Sequence, residues 1–260
     1  MIGVIGAGAF GTALAVSQAA AGRTTRIWGR DAAAMANMDA ARQNTRRLPD
    51  VRLPDPLACV GDLSELRGCA VLLLVTPAQE TAGFLEAHQA DLPDAPLVLC
   101  AKGIGARRQR LQSDMVADVF PGRVVAALTG PGFAGEIAQG LPTALTLACA
   151  DLDLGRSLQA RLSSPRLRLY LTDDVVGAQL GGALKNVVAI GCGMVAGARF
   201  GHAAQAALLT RGFAEMTRLA VAMGARAETL SGLSGLGDLS LTCNSAQSRN
   251  FAAGHAIGAG

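Results

Sequence analysis

Short, continuous apolar runs alternate with helical patterns along the first two thirds of the chain. The apolar runs predict buried strands over residues 2–5, 24–28, 71–75, 97–101, 124–128, 144–149 and 167–171. Because these runs are continuous rather than alternating, they favour a mostly parallel sheet that is covered on both faces. The helical patterns between them fit right-handed βαβ units. The proline-punctuated stretch 48–56 is predicted to be a loop.

The first predicted strand leads directly into a glycine turn and then into a helical pattern. The turn reads Gly6-Ala7-Gly8-Ala9-Phe10-Gly11, which is the G-x-G-x-x-G spacing of dinucleotide-binding units. In such units the first glycine allows the sharp turn, the second lets backbone approach a pyrophosphate, and the third allows close helix packing. Free N–H groups at the helix start favour phosphate charge. The order of strand, turn and helix therefore predicts a Rossmann-type α/β fold.

The pattern changes after Asp174. Strand signals stop there, and Ala, Gly and Leu at helical spacing continue to residue 260. We therefore predict a dinucleotide-binding domain over residues 1–174 and an all-α domain over residues 175–260.

Composition narrows the classes of function. Half of the 260 residues are hydrophobic, the net charge is +3, and aromatic residues make up 3%. These values disfavour disorder and an aromatic platform for single-stranded nucleic acid, so we expect no nucleic-acid partner. The six cysteines are scattered without a C-x-x-C pair, which is typical of buried free thiols in a reducing cytosol. We therefore expect a cytoplasmic protein.

One apolar stretch, residues 175–198, is long enough for a membrane span, but it contains Gln179, Lys185 and Asn186. Since a central lysine costs about 2.5–3.5 kcal/mol on insertion, we expect a buried helix and no membrane span. The first strand begins at residue 2, so we expect no signal peptide. The three histidines show no metal-ligand spacing and no G-x-S-x-G motif occurs, so we expect no metal and no covalent intermediate.

Arg30 and Asp31 follow the second predicted strand. An arginine at this strand end can meet the 2′-phosphate of a cofactor, so Arg30 favours NADP, with NAD left open. The alternative for Arg30 is a solvated surface side chain. Asp31 fits the N-cap of the next helix.

Lys102 and the segment Gly130-Pro131-Gly132 follow two later strands. Both are predicted at the carboxyl edge of the sheet, where open α/β sheets place ligands. The two glycines would let a ligand touch the backbone. The alternative for Lys102 is a solvated turn residue.

Lys185 lies within the apolar helical run and is surrounded by small residues, including Gly181, Gly182 and Ala189. We expect these small residues to leave space for a ligand beside its ammonium group. Desolvation would lower the pKa of Lys185 towards neutrality, which suits a general acid or base. The alternative is a lysine that extends to the surface from a packed helix.

Two further segments carry polar groups that alone would indicate a surface loop or a helix start. Asp238 follows a glycine-containing loop, and Ser248, Arg249 and Asn250 lie together near the end of the chain. The planar fork of Arg249 suits a phosphate, with Asn250 as a neutral donor.

Taken together, these motifs resemble the NAD(P)-dependent sn-glycerol-3-phosphate dehydrogenases of the bacterial type. The resemblance spans the chain in family order through seven segments: residues 6–15, 101–103, 129–134, 179–186, 235–239, 241–243 and 248–250. It implies a reversible hydride transfer between NAD(P)H and dihydroxyacetone phosphate. The product, sn-glycerol 3-phosphate, starts the backbone of phospholipids.

The resemblance also implies roles for individual residues. Lys185 would be the general acid or base at the C2 oxygen, and Asp238 would contact substrate or orient Lys185. The implied substrate-binding residues are Lys102, Gly130, Gly132, Asp238, Ser248, Arg249 and Asn250. The implied cofactor-binding residues are Gly6, Gly8, Ala9, Phe10, Gly11, Arg30, Lys102, Ala134 and Arg249.

The chain departs from the family pattern at two places. Gly132 stands where the family usually has Ser or Thr, so one hydroxyl is missing. The family also continues with further helices that include an acidic cofactor-binding residue. We therefore expect the helical domain to be incomplete at its C-terminus.

The sequence leaves two alternative functions open. The β-hydroxyacid dehydrogenases also pair such a fold with a helical domain and a catalytic lysine, although Arg249-Asn250 favours a phosphorylated substrate. A non-catalytic NAD(P)-binding sensor would leave Lys102 and Lys185 idle, and an idle buried lysine is costly. The sequence does not decide between a monomer and a homodimer.

Overall fold

The computed structural model describes residues 1–105 and 109–260, and ten strands occur in this part of the chain. They are β1 Ile2–Ile5, β2 Thr25–Trp28, β3 Gln43–Asn44, β4 Leu48–Arg52, β5 Leu57–Val60, β6 Leu72–Leu74, β7 Leu97–Leu99, β8 Val125–Thr129, β9 Thr143–Cys149 and β10 Leu167–Thr172. Eight of them form one sheet in the order β10-β9-β8-β7-β6-β1-β2-β5. Every neighbouring pair is parallel except β8 and β9. The mostly parallel sheet predicted from the sequence is confirmed.

The same described residues contain eleven α-helices. They are α1 Ala9–Ala20, α2 Ala32–Ala41, α3 Thr81–Ala87, α4 Gln112–Val119, α5 Ala134–Ala138, α6 Leu152–Leu162, α7 Val175–Gly197, α8 His202–Ala222, α9 Ala227–Ser231, α10 Asp238–Cys243 and α11 Arg249–Ala259. A π-helical turn, Leu233–Gly237, leads into α10. From Val175 onwards the described chain contains helices and no strand, as the sequence predicts. The division into two domains at residue 174 stays a prediction.

Three strands were not predicted. β5 joins the edge of the main sheet, and β3 pairs with β4 in a separate antiparallel hairpin. The predicted loop over 48–56 is therefore wrong across β4. Only the first and last residues of β5 are buried, so it lacks a continuous apolar run. Pro49 is exposed in a two-stranded ribbon, where a missing N–H is tolerated.

Helices cover both faces of the sheet. Val4 points to one face with Leu14 of α1 and Leu158 of α6. Its neighbour Ile5 belongs to the core on the opposite face, together with Leu85 of α3. Since successive side chains of a strand point to opposite faces, this division explains why the strands read as continuous apolar runs.

The helical part is organised around α7. This 23-residue helix packs on α8, α10 and α11, and its Leu180 and Cys192 are fully buried. By length and composition it is the one helix among the described residues that could cross a membrane, with a mean hydropathy of 1.4. Such a helix is weak evidence for a span, because core helices pass the same test. The contacts of α7 with three other helices fit a core helix.

Candidate active site

The glycine turn joins β1 to α1 at the carboxyl edge of the sheet. Gly6 has φ +115°, a backbone region that is open mainly to glycine. A Cβ on Gly11 would overlap the carbonyl oxygen of Gly6, so Gly11 allows the helix start to fold onto the turn itself. A Cβ on Gly8 would meet nothing within 4 Å. The open backbone at Gly8 and the start of α1 together form a cradle that fits a pyrophosphate.

The segment after β2 lies at the same edge of the sheet. Asp31 caps α2, since its Oδ1 accepts from the Ala34 N–H at 2.9 Å. This capping role was predicted from the sequence. Arg30 is exposed directly before the cap, so its guanidinium is accessible from solvent.

Three charged side chains from distant parts of the chain meet at the carboxyl edge. Lys185 Nζ on α7 lies 2.6 Å from Asp238 Oδ1, and Lys102 Nζ lies 2.7 Å from Asp238 Oδ2. Lys102 Nζ also donates to the Gly130 carbonyl oxygen at 2.7 Å. The exposed fraction is 1% for the Asp238 side chain and 8% for that of Lys185. One buried carboxylate therefore serves two ammonium groups.

This arrangement lowers the pKa of Lys185. Burial is the largest cause and the nearby charge of Lys102 is the second, while Asp238 opposes both. The result is a pKa of about 8, compared with 10.5 for a free lysine. Lys185 can therefore exchange a proton near neutral pH, as expected from its apolar surroundings.

Thr242 is a site residue that the sequence argument did not single out. Its hydroxyl lies one helical turn after Asp238, donates to the Asp238 carbonyl oxygen and accepts from Lys185 Nζ, each at 2.6 Å. The signal in the sequence was the i, i+4 spacing of Asp238 and Thr242, which places both on one face of α10. Thr242 and Asp238 together fix the position of the Lys185 ammonium group.

Asn186 was likewise not singled out. Asn186 Oδ1 accepts from Asn250 Nδ2 at 2.8 Å, and Asn186 Nδ2 lies 3.4 Å from the Lys102 carbonyl oxygen. It follows Lys185 directly on α7, which was its signal in the sequence. Asn186 thereby links the strand-end segment of Lys102 to the start of α11.

Two of the small residues near Lys185 pack closely against other parts of the chain. A Cβ on Gly181 would lie 2.5 Å from the Ser234 carbonyl oxygen. A Cβ on Gly182 would lie 3.3 Å from Lys102 Cγ. These two positions accommodate the π-helical turn and the Lys102 side chain. The space expected for a ligand beside the Lys185 ammonium group stays a prediction.

The segments after β7 and β8 complete the edge beside α1. Lys102 Nζ lies 5.9 Å from the centroid of the Phe10 ring, which brings the glycine turn next to the charged cluster. Gly130 has φ +132°, and Gly132 and Ala134 follow it at the start of α5. Ala9, the first residue of α1, is partly exposed at the same edge.

The start of α11 presents its first residues beside this cluster. Ser248 is buried and caps the helix by accepting from the Phe251 N–H at 3.2 Å. Arg249 is exposed and makes no ion pair within the described part of the chain. Asn250 contacts Asn186. A helix N-terminus with an unengaged guanidinium suits an anionic group.

The Rossmann-type sheet and its open glycine turn indicate a dinucleotide-binding protein. The buried lysine at the carboxyl edge is a proton-transferring group of the kind that a nicotinamide-dependent dehydrogenase needs. Two family models match the chain: the NAD-dependent glycerol-3-phosphate dehydrogenase N-terminus over residues 1–154, and the C-terminus over residues 174–260. The chain belongs to the NAD-dependent glycerol-3-phosphate dehydrogenase family.

Individual relatives agree with this family. A glycerol-3-phosphate dehydrogenase (NAD(P)+) of Ruegeria sp. (strain TM1040) is 53% identical over 259 residues, covering 100% of this chain and 81% of the relative. The same enzyme of Paracoccus denitrificans (strain Pd 1222) is 54% identical, covering 99% of this chain and 80% of the relative. The crystal structure of a Coxiella burnetii glycerol-3-phosphate dehydrogenase superposes with a TM-score of 0.95 at 37% identity, over 100% of this chain and 80% of that one.

Proposed function

We propose that this chain transfers a hydride between NAD(P)H and dihydroxyacetone phosphate to give sn-glycerol 3-phosphate. The observation that carries the proposal is the buried cluster of Lys102, Asp238 and Lys185 beside the glycine turn. The names of the relatives supply the substrate class. Because the product is the backbone of glycerophospholipids, we place the reaction in their synthesis.

Lys185 is the general acid in the direction of reduction and the general base in the reverse direction. A nicotinamide bound at the glycine turn would supply the hydride. With a pKa of about 8, the ammonium group of Lys185 is mostly charged at neutral pH and can give a proton to the C2 oxygen of the substrate. Asp238 and Thr242 hold the ammonium in place, each 2.6 Å from Lys185 Nζ.

Lys102 holds and polarises the substrate. Its side chain is 19% exposed, compared with 8% for that of Lys185, so Lys102 is the more accessible of the two lysines. The Gly130 and Gly132 backbones approach the substrate from the strand end. Two lysines against one carboxylate leave a net positive charge, which favours an anionic substrate.

The phosphate end of the substrate binds at the start of α11. Ser248, Arg249 and Asn250 supply a helix N-terminus, a guanidinium fork and an amide. Arg249 would also contact the cofactor, as the family resemblance implies.

Gly6, Gly8 and Gly11 of the glycine turn would hold the cofactor, together with Ala9, Phe10, Lys102 and Ala134. The open backbone at Gly8 is the feature of this chain that fits a pyrophosphate. We propose NADP as the preferred form, since the exposed Arg30 follows β2 where a 2′-phosphate would lie.

We also propose a cytoplasmic location. All six cysteines are free and five of them are buried, which fits a reducing compartment.

The test of the proposed function measures the oxidation of NADPH and of NADH in three assays: with dihydroxyacetone phosphate, with a β-keto acid, and without either substrate. Oxidation with dihydroxyacetone phosphate but not with the β-keto acid supports the proposal. Turnover with the β-keto acid would indicate a β-hydroxyacid dehydrogenase. Binding of NADPH without any turnover would indicate a sensor.

A further inference from the structure

A small hairpin packs beside the glycine turn and has no part in the function proposed above. Its strands β3 and β4 pair antiparallel with Asn44 opposite Leu48, and residues 45–47 between them are exposed. Leu48 and Val51 are buried in the core that contains Leu14 of α1. The hairpin therefore rests on the helix that follows the glycine turn.

Asn44 is the hairpin residue that reaches the turn. It is 7% exposed, and its Nδ2 donates to the Ala7 carbonyl oxygen at 3.1 Å and to Thr12 Oγ1 at 2.8 Å. Its Oδ1 accepts from the Arg47 N–H at 3.2 Å. A primary amide has two N–H donors. Asn44 uses both of them on the segment 7–12 and uses its oxygen on its own hairpin.

The two acceptors of Asn44 lie on either side of Gly8. Ala7 belongs to the turn, whereas Thr12 is fully buried in the first turn of α1, where its N–H donates to the Gly8 carbonyl oxygen at 2.9 Å. Asn44 thus fastens the turn to the helix start and fixes the direction of the backbone between them. A phosphate-binding backbone that is already ordered loses less freedom when the ligand binds.

The other end of the hairpin is fastened to the sheet. Arg42 precedes β3 with φ 49°, and its Nη2 donates to the carbonyl oxygens of Pro54 and Leu57, each at 2.7 Å. Leu57 begins the edge strand β5. The hairpin that carries Asn44 is therefore fixed to the main sheet. A positioning residue needs such rigid support.

From these contacts we infer that Asn44 is a positioning residue that holds the glycine turn in the geometry that binds the dinucleotide pyrophosphate. The inference rests on the proposed cofactor site and adds a residue to it. Asn44 acts through Ala7 and Thr12. It is expected to change cofactor affinity and to leave the proton-transfer step alone.

The test compares Asn44→Ala with Gln43→Ala, its neighbour in β3. Gln43 Nε2 donates to the Pro49 carbonyl oxygen within the hairpin, so Gln43→Ala weakens the hairpin without removing a bond to the glycine turn. The dissociation constants of NADPH and NADH are measured by fluorescence titration. Asn44→Ala should raise both by roughly ten-fold, since it leaves the partly buried Ala7 carbonyl oxygen and the buried Thr12 hydroxyl without their donor. Gln43→Ala should leave both within about two-fold.

A second pair of variants tests the other end of the bond. Thr12→Val keeps the buried volume but removes the acceptor of Asn44 Nδ2, so the dissociation constants should rise by about three- to ten-fold. Thr12→Ser keeps the hydroxyl and should restore tight binding. This pair decides the question if Asn44→Ala does not fold. At saturating cofactor, kcat and the KM for dihydroxyacetone phosphate should stay unchanged in all four variants.

The outcomes separate this inference from the proposed function. If the unaltered protein binds neither NADPH nor NADH, the proposed function and the inference both fail. If it binds them and Asn44→Ala binds them equally well, the inference alone fails. It also fails if Gln43→Ala weakens binding as much as Asn44→Ala, because Asn44 would then only stabilise the hairpin.

Discussion

At the scale of single residues, Lys185 is subject to two opposing influences. Burial and the neighbouring ammonium of Lys102 lower its pKa, while the carboxylate of Asp238 raises it. The balance at about 8 lies below the free lysine value of 10.5. A lysine with a pKa near neutrality can both give and take a proton, which a reversible reduction requires.

This pKa predicts opposite pH dependences for the two directions of the reaction. Reduction needs the protonated ammonium, so its kcat should fall as pH rises through about 8. Oxidation needs the neutral amine, so its kcat should rise over the same range. Steady-state kinetics in both directions measure this, and identical pH profiles would contradict the role of Lys185.

Lys185→Met is the matched control for these profiles. It should lower kcat by roughly 10²- to 10⁴-fold, the usual effect of removing a general acid or base. The change of kcat with pH near 8 should disappear in this variant. NADPH affinity should change little, because the hydrogen bonds of the Lys185 ammonium group go to Asp238 and Thr242 of α10. An unchanged kcat would exclude Lys185 as the proton donor.

At the scale of elements, α11 is placed by unusually close packing on α7. A Cβ on Gly254 would overlap the Ile190 carbonyl oxygen, and one on Gly193 would overlap that of Phe251. Glycines on both helices thus allow the two backbones to touch. This contact carries Arg249 and Asn250 to the cluster around Lys185.

Gly254→Ala should therefore affect both stability and substrate binding. Separating the helices to fit the methyl group should cost about 1–3 kcal/mol and lower Tm. The KM for dihydroxyacetone phosphate should rise, because the start of α11 moves away from Asn186. The control is Gly83→Ala in α3, where an added Cβ meets nothing within 4 Å. It should raise Tm slightly through helix propensity, and equal effects of the two variants would contradict the packing argument.

Arg249 at the start of α11 is proposed to bind the phosphate of the substrate, which a substitution can test. Arg249→Ala should lower kcat/KM for dihydroxyacetone phosphate by roughly 10- to 200-fold, because a charge-assisted pair with the phosphate is lost. Unphosphorylated dihydroxyacetone, a poor substrate from the start, should be barely affected. Arg249→Lys should recover part of the loss, since an ammonium lacks the planar fork.

Arg211→Ala removes an exposed arginine that pairs with Glu215 on α8, and it should leave kcat/KM unchanged. If Arg249→Ala harms the phosphorylated and unphosphorylated substrates equally, Arg249 acts on the cofactor or on the structure. The phosphate would then be assigned to Lys102.

The strands of this protein differ in how well the sequence predicts them. The seven predicted strands were recognised because both of their faces are buried, so each reads as one apolar run. β5 and the β3–β4 hairpin were missed because they lie at an edge or outside the sheet and bury few side chains. The contacts of Asn44 with Ala7 and Thr12 depend on this hairpin, so no pattern in the sequence could predict them.

At the scale of the whole molecule, one buried ion cluster joins the sheet to the helices. Lys102 follows β7, Lys185 lies in the middle of α7, and Asp238 begins α10. The sequence indicated each lysine from its local context. The family resemblance implied that Asp238 contacts substrate or orients Lys185. Its ion pair with Lys102 was not predicted, because the two residues are 136 positions apart in the sequence.

Asp238→Asn should therefore weaken the molecule as a whole. It removes the negative charge between two ammonium groups and leaves them uncompensated, which costs about 3–5 kcal/mol for a buried pair. That corresponds to a Tm lower by roughly 6–20 °C for a chain of this size. The control is Asp153→Asn, which removes one partner of an exposed pair with Arg156 and should leave Tm unchanged.

The same variant has a pH signature that simple loss of packing would not produce. Asp238 raises the pKa of Lys185, so in Asp238→Asn that pKa falls below about 8. Below the unfolded value of 10.5, stability falls with decreasing pH until the folded pKa is reached. The unaltered protein reaches that point near pH 8, while the variant continues to lose stability at lower pH. Thermal unfolding of both proteins from pH 9 to pH 6 should therefore show a difference in Tm that grows below pH 8. A Tm difference that does not change with pH would mean that Asp238 does not act through its charge on Lys185.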